Sequence, residues 1–325
     1  MSPVLNRGEI MQVKEQEAIQ LTKEQIYAKK MKYYRRNFIT LMLESFFFSA
    51  ACSMFSPENV LPAYVANLSQ KPIYIALISV IYYGVSYGVT VFSCPIGINA
   101  KSPKWISVII CFVQRIGFFF ILLSTYMVVG NEESIALFLF FCSLVMLAFG
   151  SGMSTPLFSQ MVSVSIPKNI GTFYGAYNLS GSVSGILGSL ILTRCLVLYD
   201  FPKNYRSVFL VGLVLGVIAT IVVSAGVHEV TDDRVVEKVS LKEVFGISKR
   251  ILKENAEFRY FTIIRVLLGA AEFAIPYYII IASDRPGVPK GFVGMMATFY
   301  LVAKMISSMI MGRIGDKFGP IMTLL

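Results

Sequence analysis

Four charged side chains, Glu44, Arg265, Glu272 and Lys304, interrupt stretches of sequence that are otherwise apolar. In hydrocarbon each such group costs on the order of 3 kcal/mol or more, so it is expected to face a partner or a water-filled path. Arg265, Gly269, Glu272 and Pro276 recur at i, i+4, i+7 and i+11. On a helix that spacing puts both charges on one face, about 10 Å apart by the 1.5 Å rise per residue. Glu44 stands beside the small polar stripe Ser45, Ser49, Cys52 and Ser56, a periodicity that turns this side of a helix inward. Lys304 lies too deep in its apolar stretch for easy solvation. The chemistry open to these groups is binding and release of a solute or a proton. Buried ion pairs such as Glu272 with Lys304, holding helices together, are an equally available role.

Polar aromatic and amide residues add candidates on the same reasoning. Tyr83, Tyr87, Thr90 and Cys94 share one helix face, as do Tyr174, Asn178 and Gly181, and Gln160 is an isolated amide in an apolar run. Packing with a hydrogen-bonded hydroxyl is the commoner fate of such tyrosines. Arg115 is expected to form a structural or gating pair, and Arg194 to reach toward an interface with its charged head.

The elements that position these residues follow from the apolar blocks. Of the 325 residues 55% are hydrophobic, and they gather in blocks of about twenty, the length that crosses the hydrocarbon core of a bilayer. Eight such blocks are predicted as spans: 38–64, 73–96, 104–128, 135–162, 169–198, 206–228, 258–283 and 291–313. Residues 1–37 form a polar segment ending in Lys29, Lys30, Lys32, Arg35 and Arg36, read as a surface helix against headgroups. Residues 229–257 are the one long polar stretch between spans. The domain reading is therefore a cytoplasmic segment over 1–37, a six-helix transmembrane bundle over 38–228, a cytoplasmic linker over 229–257 and a partial second bundle over 258–325. Lys101, Lys104, Lys168, the basic residues of the linker, Arg313 and Lys317 all fall on the side of the N-terminal cluster, so both termini are expected in the cytoplasm. The location expected is a plasma or bacterial inner membrane.

After span 8 comes Gly312-Arg313-Ile314-Gly315-Asp316-Lys317-Phe318-Gly319, where glycines permit a tight turn and Asp316 precedes a new apolar segment, near the positive end of the next helix. This resembles the G-x-x-x-D-[RK]-x-G-[RK] signature of the major facilitator superfamily, found in that family after spans 2 and 8. Pro320 stands at the last basic position. The counterpart after span 2 is degraded to the run from Pro95 to Lys104, with Asn99 near the expected acid. Gln114-Arg115-Ile116-Gly117 and Pro167-Lys168-Asn169-Ile170-Gly171-Thr172-Phe173-Tyr174-Gly175 are similar to a bacterial branch of the superfamily, with Ile170 in place of an arginine. The resemblance implies an all-α integral membrane fold, with a six-span first half and the start of a second. It implies a central cavity lined by spans 1, 2, 4, 5, 7 and 8, and a gating role for Gly312, Gly315, Asp316, Lys317 and Gly319. It also implies a ninth helix beginning near Leu325 and four spans to come, so the 325 residues read as a truncated chain. Gly181, Ser184, Gly185 and Gly188 in span 5 are the spacing of close helix packing. They lie near the glycine-rich antiporter motif of drug exporters, from which Ile186 and Ser189 depart.

Several classes are excluded or weakened. The net charge of +10 sits beside the ends of the apolar blocks, with no nucleic-acid motif, so nucleic acid is not an expected partner. Cys52, Cys94, Cys111, Cys142 and Cys195 lack CxxC spacing and clustered histidines, and His228 is the only histidine, so neither a metal nor a cofactor is expected. No nucleophile elbow, zincin motif or Walker loop points to an enzyme. The expected function is secondary active transport of a small solute across the bilayer by alternating access, with protons as a further partner through Glu44 and Glu272. A receptor or scaffold that kept the transporter fold is the alternative.

Overall fold

A computed structural model describes residues 7–69, 71–128, 133–230 and 239–272, with short stretches between 281 and 307; within 7–23 and 270–272 it describes the backbone alone. Nine helices are laid out in these segments: α1 Arg7–Met54, α2 Val60–Leu68, α3 Pro72–Ile98, α4 Pro103–Met127, α5 Glu133–Ser165, α6 Ile170–Leu198, α7 Lys203–Gly226, α8 Leu241–Glu254 and α9 Ala256–Glu272. Among the described residues, six helices are long and apolar enough to cross a membrane: the Glu24–Met54 part of α1, then α3 to α7. Proline opens α3 and α4 at the first helical position, where its missing N–H costs nothing. Pro95 and Pro156 sit inside α3 and α5, as membrane helices tolerate when neighbours re-satisfy the backbone.

Two differences from the sequence reading concern the first span. The polar N-terminal segment is not a separate surface helix from residue 7 onward; its helix runs unbroken into the membrane segment as α1. The apolar block 38–64 is not one helix either. α1 stops at Met54 because Pro57 has no N–H to donate and disfavours helical geometry at Ser56. The chain restarts as α2, with the Ser56 carbonyl accepting from Val60 and Leu61 at 3.1 and 3.0 Å. The break carries Ser56, Pro57, Glu58 and Asn59.

Around that break lies the largest core cluster. Phe55 stacks on Phe118 with centroids 3.9 Å apart, and Tyr64, Phe140, Tyr205 and Phe209 close round it. The buried Tyr64 and Ser124 hydroxyls meet at 3.0 Å, as a polar group in such surroundings requires. Lipid tails are as apolar as these side chains, so shape and close backbone approach hold the helices together. A Cβ on Gly181 would stand 2.6 Å from Ser49 Oγ, and one on Gly188 2.8 Å from the Ala50 carbonyl oxygen. The small residues of α6 are therefore used to bring it against α1, and this packing accounts for their spacing.

At the opposite end from α2, polar side chains tie the helix ends together. Arg36 donates to the Gly226 and Ala225 carbonyls, both at 2.9 Å, which the C-terminus of α7 leaves without helical partners. Asn37 donates to the Ser165 and His228 carbonyls and accepts from the His228 N–H at 2.8 Å. Glu229 takes hydrogen bonds from the Ser102 hydroxyl and the Lys104 N–H at the start of α4. Asn99 forms a two-way pair with the Val239 backbone, 2.9 and 3.0 Å. Ser240 and Glu243 then open α8 with reciprocal capping bonds.

Candidate functional site

Among the described residues, α1, the break after it, α3 and α6 line an open-sided cavity of about 410 Å³, with Tyr300 also on its wall. The helical stripe Ser45, Ser49, Cys52, Ser53 and Ser56 lines it from α1, and Tyr177, Asn178, Gly181 and Gly185 face them from α6. Large side chains are impossible along this seam because α6 approaches α1 at its glycines, which leaves the hydroxyls of α1 at the surface of the cavity.

One carboxylate, Glu58, lies on the wall, and a second, Glu44, sits behind it on the wall residue Tyr177; each is held by a tyrosine. Glu44, 7% exposed, accepts from the Tyr177 hydroxyl at 2.9 Å. Arg115 of α4, 4% exposed, is close enough to act on Glu44 through its field, but its guanidinium is held elsewhere. It donates to the Gly216 carbonyl at 2.8 Å and to Gln114, and lies over the rings of Phe48 and Phe118. Arg115 is thus a structural residue of the α4–α7 contact. Glu58 accepts from Tyr83 and from Ser56, each at 2.7 Å, and lies on the cavity wall. Two of the roughly four acceptor positions of its carboxylate are filled by these bonds.

Of the residues singled out in the sequence, Asn178 lines the cavity, while Glu44 and Tyr83 stand outside the described lining and are bonded to its residues Tyr177 and Glu58. Tyr87 stacks on Tyr83 and is 56% exposed. Gln160 is half-buried near Gly97, on the α3–α5 side, and does not belong to the described lining. Arg265 is exposed on α9 and also lies outside that lining. The backbone of Glu272 ends α9, but its side chain, together with Lys304 and the turn of Gly312, Gly315, Asp316, Lys317 and Gly319, lies outside the described residues.

Sequence reasoning missed Glu58, Tyr82 and Tyr177. Glu58 falls inside the block 38–64 expected as one span, and it reaches the wall only because Pro57 stops the helix before it. Tyr177 is one position from the face assigned to Asn178, which a cavity wider than one helical row accommodates.

The arrangement can accept hydrogen bonds from a solute rich in N–H or O–H groups, because its described lining has carboxylate, hydroxyl and amide groups and no Lys or Arg. If the Glu44 bond matters, Tyr177→Phe removes a donor from a buried carboxylate, a change of about 1.5–3 kcal/mol for a charged hydrogen bond. The expected result is transport reduced several-fold with the protein still folded, measured as initial uptake beside a melting curve. Unchanged uptake would show that the bond serves neither solute nor proton.

Among the described residues, six helices long and apolar enough to cross a bilayer, with a polar cavity between α1, α3 and α6, define a multi-pass membrane protein. The family model described as Major Facilitator Superfamily matches residues 45–325, and the chain belongs to that superfamily, whose members move solutes across membranes. Comparison with curated proteins finds no match.

Proposed function

We propose that this chain works in secondary active transport of a small solute by alternating access, with Glu44 taking up and releasing the coupled proton. The observation that carries the reading is a buried carboxylate, Glu44, bonded to Tyr177 at the edge of a serine-lined cavity. Such a group in a membrane helix is costly unless it is used, and protonation removes the cost. Glu58 is added to the pathway with Tyr83 as its partner. Arg265, Glu272 and Lys304 keep their proposed places in the path, and residues 312–319 their proposed gating role.

In this reading residues 38–228 are the first bundle, 229–257 join it to the second, and 258–325 begin that second bundle. The N-terminus and the basic end of the bundle face the cytoplasm of a cell membrane, since basic residues are retained there. Support comes from the gathering of Arg36, Lys104 and Lys168 at one end.

The test is uptake into reconstituted vesicles, with and without a pH gradient, across sugars, amino acids, organic cations, organic anions and dyes. The chain is assayed beside a version extended by any downstream reading frame. Gradient-dependent accumulation of one class is expected. Movement that only equilibrates the solute would overturn the coupling, and silence of a folded, extended protein would overturn transport itself.

A further inference from the structure

α8 is a helix with nothing buried, in a protein with six helices, among the described residues, that are long and apolar enough to cross the membrane. Leu241, Phe245, Ile247 and Ile251 are 37%, 54%, 46% and 39% exposed. At 3.6 residues per turn they fall in one arc of the helix surface, together with Val244 and Leu252. Lys242, Lys249 and Lys253 share the border of that arc next to Phe245, while Glu243 and Glu254 lie across the polar side. All three lysines are exposed.

The position of this helix is set by the bundle. Its N-terminus follows Val239, which Asn99 holds at the end of α3 through two backbone bonds. α8 itself touches α3 and, through Asn255, runs on into α9. An apolar face thus begins at the level where α3 leaves the membrane. Water is a poor solvent for that face, and a headgroup layer is adjacent. The lysine border supplies the charge that an anionic surface complements.

The geometry points to α8 as an interfacial helix that lies in the bilayer surface at the basic end of the bundle, its apolar arc among the acyl chains and Lys242, Lys249 and Lys253 on anionic headgroups. The partner is a lipid surface carrying phosphate-type negative charge. A helix so placed holds the joint between α3 and α9 at a fixed depth, and it does so whatever the solute carried.

The experiment uses the full chain in lipid nanodiscs, which leave both faces of the bilayer open. Trp105, the only tryptophan, is replaced by phenylalanine and Phe245→Trp is introduced as the reporter. Nanodiscs of phosphatidylcholine alone are compared with discs containing phosphatidylglycerol, each with and without brominated acyl chains. Expected are blue-shifted emission, strong quenching by the brominated chains in the phosphatidylglycerol discs, weaker quenching in phosphatidylcholine alone, and protection from iodide. Changing Lys242, Lys249 and Lys253 together to glutamine should bring the two lipids to the same level. Emission of a solvated indole, open to iodide, would overturn the inference. So would protection from iodide without bromine quenching, which would mean that α8 docks on protein. Equal quenching in both lipids with the lysines in place would overturn the anionic partner.

Discussion

Glu44→Gln is expected to abolish pH-gradient-driven accumulation of the solute while exchange at equal pH persists. Glutamine keeps the size of the side chain and its carbonyl still accepts from Tyr177, now 2.9 Å from Glu44 Oε2, but it has no proton to give up. The fold should survive. Removing the negative charge weakens the field that acts on Arg115, yet that guanidinium keeps the Gly216 carbonyl, Gln114 and the rings of Phe48 and Phe118. Accumulation and exchange are measured on the same vesicles, so a misfolded protein, which loses both, is told apart from an uncoupled one. If accumulation under a gradient stays at its original level, Glu44 does not carry the proton, and Glu272→Gln becomes the decisive variant.

The second large effect is expected at Gly152, where α5 crosses α3. A Cβ there would stand 2.2 Å from the Ser86 carbonyl oxygen and 2.8 Å from its Cα, both backbone atoms that cannot rotate away. Gly152→Val therefore forces the helices apart. Separation also breaks the bonds that sew the crossing: Ser86 Oγ to the Ala148 carbonyl at 2.9 Å, and Thr90 Oγ1 to the Gly152 carbonyl at 3.0 Å. Overpacking costs about 1–3 kcal/mol, and hydrogen bonds inside a membrane add about 0.6 kcal/mol each. The expected outcome is a sharp loss of folded yield and a melting temperature lower by several degrees. Gly84→Ala, on the same α3 with open space around it, should leave both unchanged. Equal behaviour of the two variants would mean that α3 and α5 do not approach as described.

How much of this was legible beforehand differs from element to element. The crossing helices were readable because hydrocarbon thickness imposes a length, and apolar runs of that length have few other fates. The stripe Ser45, Ser49, Cys52 and Ser56 was readable because helical periodicity puts those residues on one face. Its facing wall was not, since Tyr177 and Gly181 meet it from 132 residues away along the chain for the Tyr177–Ser45 bond. Arg115 illustrates the limit from the other side. Its depth in an apolar run announced a partner, but the partner is a backbone carbonyl of α7, which no pattern in residue types announces.

Composition and periodicity determined by themselves that this is a many-span membrane chain, with six of its apolar blocks forming helices long enough to cross, and that Glu44 stands on a polar face; the superfamily was legible only through its motifs. Composition and periodicity act locally, through helix geometry and the cost of placing polar groups in lipid. The tertiary structure alone decided that Pro57 turns Glu58 into the cavity, that Tyr177 rather than Tyr174 reaches Glu44, and that Asn99 holds Val239. Those outcomes depend on which helices approach closely, and close approach is set by glycines that meet backbone atoms distant in sequence.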